Sequence, residues 1–432
     1  MKEKNALDVM EYLDSEIIEE ADTYRKKDIR KYLYRGGALA ACLCVTILGV
    51  LTFRQTSLPE TPVGTGQNPG TEAEYPVDPP VSDDNCQYPV DPPIYEENGL
   101  KPLSIPEIFF GGMGFEGYLY YDIAELDNGN PWSESMKLSV LPVYRNGSYD
   151  ETKAGIPKGL TETEMTELLE HTVSALGLHI GAVETDVSGS DKKGEKVIAD
   201  PNPSPTWVRA VTENGTVMIQ ADGSIVYTLP AEGLPLPEEY RFTYSDTTDA
   251  EAEKVLLYLT DSYSALLDFD EPETVSYGDY TYDGVYNRSY LVYDTAGADT
   301  EDILNYNFRS VSFAPNDAGN LYLIRTGDHL RTAEKLGDYP IISVNAAVDR
   351  LQAGRYSTSV PMAFPGKEYI GKAELIYRTG RLEELLLPYY RFYVLLPGYE
   401  RENGLKTYGV YYVPAIADEY IADMPVYDGS FN

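Results

Sequence analysis

Three histidines, His171, His179 and His329, stand in a chain of 432 residues that carries 70 Asp and Glu. Histidine and carboxylate are the side chains that hold zinc or move protons, so their spacing decides which chemistry is open. No HExxH pairs the histidines on a helix, no GxSxG presents a serine, and no P-loop cradles a phosphate. A zinc site would need the fold to gather all three histidines, and scattered surface histidines are the commoner arrangement. The runs SDTTDAEAE (245–253), DFDEPE (268–273) and DTAGADTED (294–302) offer hard oxygen ligands to a cation. None has the glycine and closing glutamate of an EF-hand loop, so each reads as a solvated acidic loop. Carboxylates this abundant fall close together by chance, and no glycosidase pair is assigned. The expectation is a protein that is not an enzyme, with no catalytic residue, no metal ligand and no cofactor.

The other chemistry open to this chain is contact. Leu7, Met10, Leu13 and Ile17 recur at spacings of three and four, with Asp and Glu between them, and Ala21 continues the series. That is one apolar stripe on a helix, acidic early and basic late as the helix dipole favours. The stripe is a candidate partner-binding surface, docked in a groove of a cytoplasmic regulatory protein or a membrane kinase. Dimerisation, or rest at the membrane surface, is the competing use.

What positions that helix is the apolar run after it. Residues 36–53 carry no charge, and at ~1.5 Å per residue they cover about 27 Å as a helix. This nearly matches the ~30 Å hydrocarbon core, so a single transmembrane helix is expected there. The run contains LAAC at 39–42, the residue pattern of lipoprotein processing. In such a signal the apolar region precedes the cysteine, yet here only GGALAA precedes Cys42. The span is therefore expected to stay uncleaved. Arg25, Lys26, Lys27, Arg30, Lys31 and Arg35 precede it, against Arg54 alone just after it. The positive-inside bias puts the tail, 1–35, in the cytoplasm and the bulk of the chain outside.

The outer part is acidic: residues 54–432 hold 26 Lys and Arg against 61 Asp and Glu, a net of −35 in a chain of −36. Such a surface repels nucleic acid and anionic headgroups, and favours an extracytoplasmic protein or a cationic ligand as partner. The cysteines are Cys42, Cys44 and Cys86, so residues beyond 86 can form neither a disulfide scaffold nor a cysteine zinc site. Residues 54–100 are rich in Pro, Gly, Thr and acidic residues and repeat YPVDPP at 75–80 and 88–93. They read as a disordered, semi-rigid stalk.

Beyond the stalk the periodicities predict an α+β region. LTETEMTELLEHTVSALGL offers Thr161 and Glu164 as a capping box, then Met165, Leu168, Leu169, Thr172 and Leu176 on one face and Gly177 as the stop. TDAEAEKVLLYLTDSYSALL repeats the box with Thr248 and Glu251, and would bury Ala252, Val255, Leu259, Tyr263 and Leu266. A third helix starts at Ser343 and runs through Ala346, Ala347 and Leu351 to Gly354. Alternating runs follow each helix: hairpins in TVMIQADGSIVYTL and SVSFAPNDAGNLYLIRT, then strands in KAELIYR, YYRFYVLL and GVYYVPAI. Many of the 38 tyrosines fall at strand positions, where the ring would cover a sheet and the hydroxyl stay wet. Helices that precede groups of antiparallel strands imply two or more helix-on-sheet units, divided here as 101–235 and 236–432.

YPIISVNAAVDRLQAG, IGKAELIYR, LPYYRFYVLLP and TYGVYYVPAI, within about 338–418, are similar to the PepSY pattern of a Ser-capped helix with a run of strands. The arrangement also resembles the outer domains of the YycH and YycI proteins, single-pass Gram-positive regulators that restrain a cell-wall-sensing histidine kinase. LDSEIIEEA, a basic patch and a span together resemble the inner tails of Gram-positive membrane proteins, some of them anti-sigma-like. These resemblances imply a single-pass signalling regulator of the cell membrane, sensing outside and acting inside. The alternative is a structural or inhibitory envelope module that holds another envelope protein or a protease without signalling.

Overall fold

The computed structural model describes residues 99–108, 119–121, 128–149, 159–186, 205–280, 284–295, 297–401 and 404–429. The stretches expected to form the tail and the span, with the LAAC motif and the YPVDPP repeats, lie outside the described residues. Among the described residues no helix is long and apolar enough to cross a membrane.

Residues 95–432 form one compact unit, mixed in class and dominated by sheet. It opens with β1 (Leu103–Ser104), β2 (Leu119–Tyr121) and β3 (Val140–Arg145). A helix-and-meander pair follows: α1 (Glu162–Ala175), then β4 (Ile180–Thr185), β5 (Trp207–Thr212), β6 (Gly215–Gln220) and β7 (Ile225–Thr228). A second pair repeats the plan with α2 (Asp249–Ser262), the short α3 (Ser264–Leu267), β8 (Pro272–Tyr280) and β9 (Tyr286–Asp294). It continues through an inserted α4 (Asp299–Phe308) to β10 (Val311–Pro315) and β11 (Leu321–Thr326).

Both capping boxes form. Thr161 Oγ1 accepts from Glu164 N and Glu164 Oε2 accepts from Thr161 N at 2.8 Å, and Thr248 and Glu251 repeat the exchange at 2.9 Å. In α1 Met165, Leu169 and Thr172 are buried, with Leu168 and Leu176 packed beside them and Gly177 in the left-handed region. The second helix departs from expectation by breaking at Tyr263. Its apolar face continues into α3, which ends on Asp268 with φ of 51°, the left-handed conformation a short polar side chain tolerates.

The two meanders join through their last strands into one eight-stranded antiparallel sheet, in the order β4-β5-β6-β7-β11-β10-β9-β8. Ile225 lies opposite Thr326 and Thr228 opposite Leu323. The sheet runs across residue 235, the boundary expected between two helix-on-sheet units. Val226 and Tyr227 of β7 are both buried, and a strand covered on both faces needs hydrogen-bonded neighbours on both sides. α1 and α2 pack on one face of this sheet, where Met165, Leu169, Val255 and Leu259 meet Val208, Val217, Val292 and Phe313. α4 lies against the other face, with Tyr306 edge-on to Tyr293 at 5.4 Å.

The remaining chain builds a second layer with β1 to β3. β12 (Glu334–Pro340) pairs with β3, and α5 (Val344–Gln352) follows, capped by Ser343 as expected. Then come β13 (Ser357–Thr358), β14 (Ile370–Tyr377), β15 (Leu385–Leu386), β16 (Pro388–Leu395), β17 (Lys406–Pro414) and β18 (Ile421–Asp423). β13, β17, β16 and β14 form a sheet that β2 extends from β17, while β15 joins β3 and β18 joins β1. Both faces of the β14-β16-β17 sheet are buried. Ala347 and Leu351 of α5 cover Phe392 and Tyr411 on one side, and Ile105 and Ile108 lie with Tyr389 and Val410 on the other. The order of disposition is thus nested: residues 159–326 form one layer inserted between the two parts of the other.

That double burial changes the role of the tyrosines. Tyr377, Tyr390 and Tyr339 donate their hydroxyls to the carbonyls of Pro142, Ile342 and Lys101 at 2.8, 2.8 and 3.0 Å, so these hydroxyls are satisfied inside the fold rather than by solvent.

Candidate functional site

The stripe Leu7, Met10, Leu13 and Ile17 lies outside the described residues. The histidines go to three different elements: His171 on the exposed side of α1, His179 just before β4, and His329 in the turn between β11 and β12. Among the described residues no group of three or more His, Cys, Asp or Glu is placed to hold a metal ion. One acidic run read as a loop, at 294–302, starts a helix instead, while the run at 245–253 enters the helix expected from Thr248. Asp249 and Glu251 occupy the first turn of α2, and Asp299, Glu301 and Asp302 that of α4, where the helix dipole favours negative charge.

Two arrangements remain, one sealed and one open. The sealed one follows from the period of two along a strand, which puts Lys372 and Glu374 on the same face of β14. Arg391 of β16 stands directly opposite Glu374, and Tyr393 opposite Lys372. The Glu374 side chain is 2% exposed, and its Oε2 accepts from Arg391 Nε at 3.0 Å, Tyr393 OH at 3.1 Å and Asn128 Nδ2 at 3.2 Å. Lys372 Nζ sits 2.8 Å from Oε1. Burial by itself would raise the carboxyl, but Arg391 and Lys372 outweigh it and hold Glu374 below the usual carboxylate range. Tyr306 of α4 donates to the Asn128 carbonyl at 3.0 Å, tying the inserted layer to the same cluster. With three residues donating to Oε2 and the Lys372 charge beside Oε1, Glu374 fastens β14 to β16.

The open arrangement is β4. Every residue of this strand is exposed, and among the described residues β5 alone pairs with it. Its outer-face row can be followed across the whole sheet by register: Glu184, Arg209, Met218, Val226, Arg325, Ser312, Leu291 and Val275. The row begins wet and ends sealed. Val275 lies so close to Gly129 that a Cβ there would come within 2.5 Å of it. At the wet end Arg209 Nη2 donates to Glu184 at 2.7 Å, and its guanidinium covers the Trp207 ring at 5.0 Å.

Main-chain geometry at β4 follows from one hydrogen bond beyond its end, Asp186 N to Trp207 O at 3.4 Å. Antiparallel strands alternate hydrogen-bonded and non-bonded pairs. Asp186 opposite Trp207 is a bonded pair, so Glu184 opposite Arg209 is bonded as well, and Val183 and Thr185 turn their N–H and C=O away from β5. Carboxylates flank this edge. Asp186 accepts from Thr206 at 2.9 Å beyond one end, and Glu213 binds the His179 backbone and ring at 3.0 and 3.1 Å before the other. Its own backbone N–H, then the His179 ring and backbone, hold Glu213 below the usual carboxylate range. What β4 can do chemically is donate and accept main-chain hydrogen bonds in a negative field.

The alternating runs after α1 imply strands but not which of them stands at an edge, because strand order is a long-range property. Glu374 and Arg391 carried a signal in principle: each is a lone charge of one sign inside a run of alternating apolar residues. No family model matches this chain, and no curated protein matches it.

Proposed function

We propose that this chain is a single-pass membrane protein whose outer α+β unit binds an extracytoplasmic partner, and whose inner amphipathic helix passes that state to a cytoplasmic regulatory protein or membrane kinase. The observation that carries the binding role is the exposed β4, a strand with main-chain groups directed to solvent at Val183 and Thr185. The sequence supports the anchoring and relay: an uncharged run at 36–53, positive charge before it, and the stripe Leu7, Met10, Leu13 and Ile17. The resemblance of 338–418 to PepSY and to the YycH and YycI outer domains points the same way.

The test is capture by the full chain from solubilised membranes and cytosol, wild type against Leu13→Asp. A cytoplasmic regulator or kinase that co-purifies with the wild type and is lost from Leu13→Asp supports the relay. Equal co-purification of the same proteins with both chains overturns it.

A further inference from the structure

We propose that β4 is the docking edge for an extended basic segment of the partner protein, which adds to the eight-stranded sheet as a ninth strand. The inference rests on the reading of the outer unit as a binding module and names where and how it binds.

An edge strand presents unpaired N–H and C=O groups, and proteins ordinarily blunt such edges with proline, lysine, bulges, shortness or a covering element. Among the described residues, β8, β12, β13, β14 and β15 are edges blunted in those ways. β8 starts at Pro272 and has β2 lying beside it. β12 bulges between Lys335 and Gly337 and ends on Pro340. β14 bulges between Ile370 and Lys372, and β13 and β15 are two residues long. β4 has neither proline nor lysine, and its bulge between Ile180 and Ala182 leaves 182–185 regular. Its Val183, half exposed, and its Ile180 are apolar side chains open to solvent. This is a strand shaped for pairing.

Charge chooses the occupant. Glu184, Asp186 and Glu213 surround the edge, and the Arg209 guanidinium is already held by Glu184. A second copy of this chain would bring a formal charge of −36 against its like. A segment carrying lysine or arginine on alternate positions meets the carboxylates while its main chain pairs with Val183 and Thr185.

The experiment uses the full chain in detergent and three synthetic probes: a peptide alternating lysine and valine, its glutamate counterpart, and the lysine peptide N-methylated on alternate residues. The lysine peptide is expected to slow hydrogen exchange at the Val183 and Thr185 amides and to bind more weakly as salt rises. Val183→Pro with Thr185→Pro removes two outward donors without removing a bond to β5, and should weaken binding about tenfold or more, a change of ~1.4 kcal/mol. Glu184→Lys with Glu213→Lys keeps the donors and should shift preference to the glutamate peptide. The proposal is overturned by equal binding of the glutamate or N-methylated peptide, by protection elsewhere on the chain, by an unaltered affinity of the folded proline variant, or by a dimer whose contact protects Val183. Loss of the β4 interaction would leave Leu13-dependent capture of a cytoplasmic partner intact, so failure here and failure of the relay are separate results.

Discussion

Glu374 on β14 and Arg391 on β16 face each other across a single strand pair, and the guanidinium donates twice to one carboxylate oxygen, at 3.0 and 2.5 Å. Breaking a buried pair by removing one partner leaves the other charge desolvated and uncompensated. Glu374→Gln should therefore cost about 3 kcal/mol of unfolding free energy, read as a lower urea midpoint at unchanged slope. The double variant Glu374→Leu with Arg391→Met, which removes both charges, should lose less than Glu374→Leu alone. A double variant that loses the sum of its parts would show that the pair is not coupled.

The same carboxylate sets a pH dependence. Its folded pKa is depressed because Arg391 and Lys372 outweigh the opposing effect of burial. A depressed carboxyl stabilises fully above its unfolded pKa, about 4.3 for glutamate, and this contribution is lost as pH falls through the folded value. The wild type should lose stability on acidification more steeply than Glu374→Gln, with the two unfolding midpoints converging below that window. Parallel curves would refute the assignment.

Arg350 was legible only as a helix residue, yet it is buried at the end of α5, where its guanidinium donates to the carbonyls of Pro414 and Ile416 at 2.6 and 2.8 Å and to Asp418 at 3.0 Å. It closes α5 onto the end of β17. Arg350→Met keeps most of the stem and should cost about 3 kcal/mol, because the two buried carbonyls lose a charged donor. Thermal unfolding of the full chain checks this, and a change under ~1 kcal/mol would mean that solvent replaces the guanidinium.

The two capping boxes stand at the starts of α1 and α2, on the same face of one sheet. Thr161→Ala and Thr248→Ala should each cost about 1 kcal/mol and add in the double variant, since each acts on its own helix end. Unfolding free energies from urea titration give the comparison. A marked departure from additivity would mean that the helices are coupled through the core more tightly than their separate caps imply.

Local signals in this sequence were reliable because local physics produced them. Thr161, Thr248 and Ser343 cap the helices they were expected to cap, and Ala221, Asp222 and Gly223 turn the β6-β7 hairpin. Acidic residues misled at 299–302, where a polar run reads equally as loop or as the first turn of a helix until tertiary contacts of Ile303 and Phe308 decide. The pairing of β7 with β11 joins positions about a hundred residues apart, and the strands' composition does not encode which neighbour each will take. The open edge at β4 is likewise set by which neighbours the strands take, and its own composition does not reveal it. Nothing in the described residues bears on the inner stripe, whose evidence stays in the periodicity of Leu7, Met10, Leu13 and Ile17.

The proposed relay requires residues 1–35 and the unit at 95–432 to lie on opposite sides of a membrane. With Cys42, Cys44 and Cys86 replaced by serine, single cysteines introduced as Ser15→Cys and Ser133→Cys can be labelled in intact and permeabilised cells with a membrane-impermeant thiol reagent. Ser133→Cys should label in intact cells and Ser15→Cys only after permeabilisation. Labelling of Ser15→Cys in intact cells, or recovery from the native sequence of a mature chain that begins at Cys42, would contradict the relay.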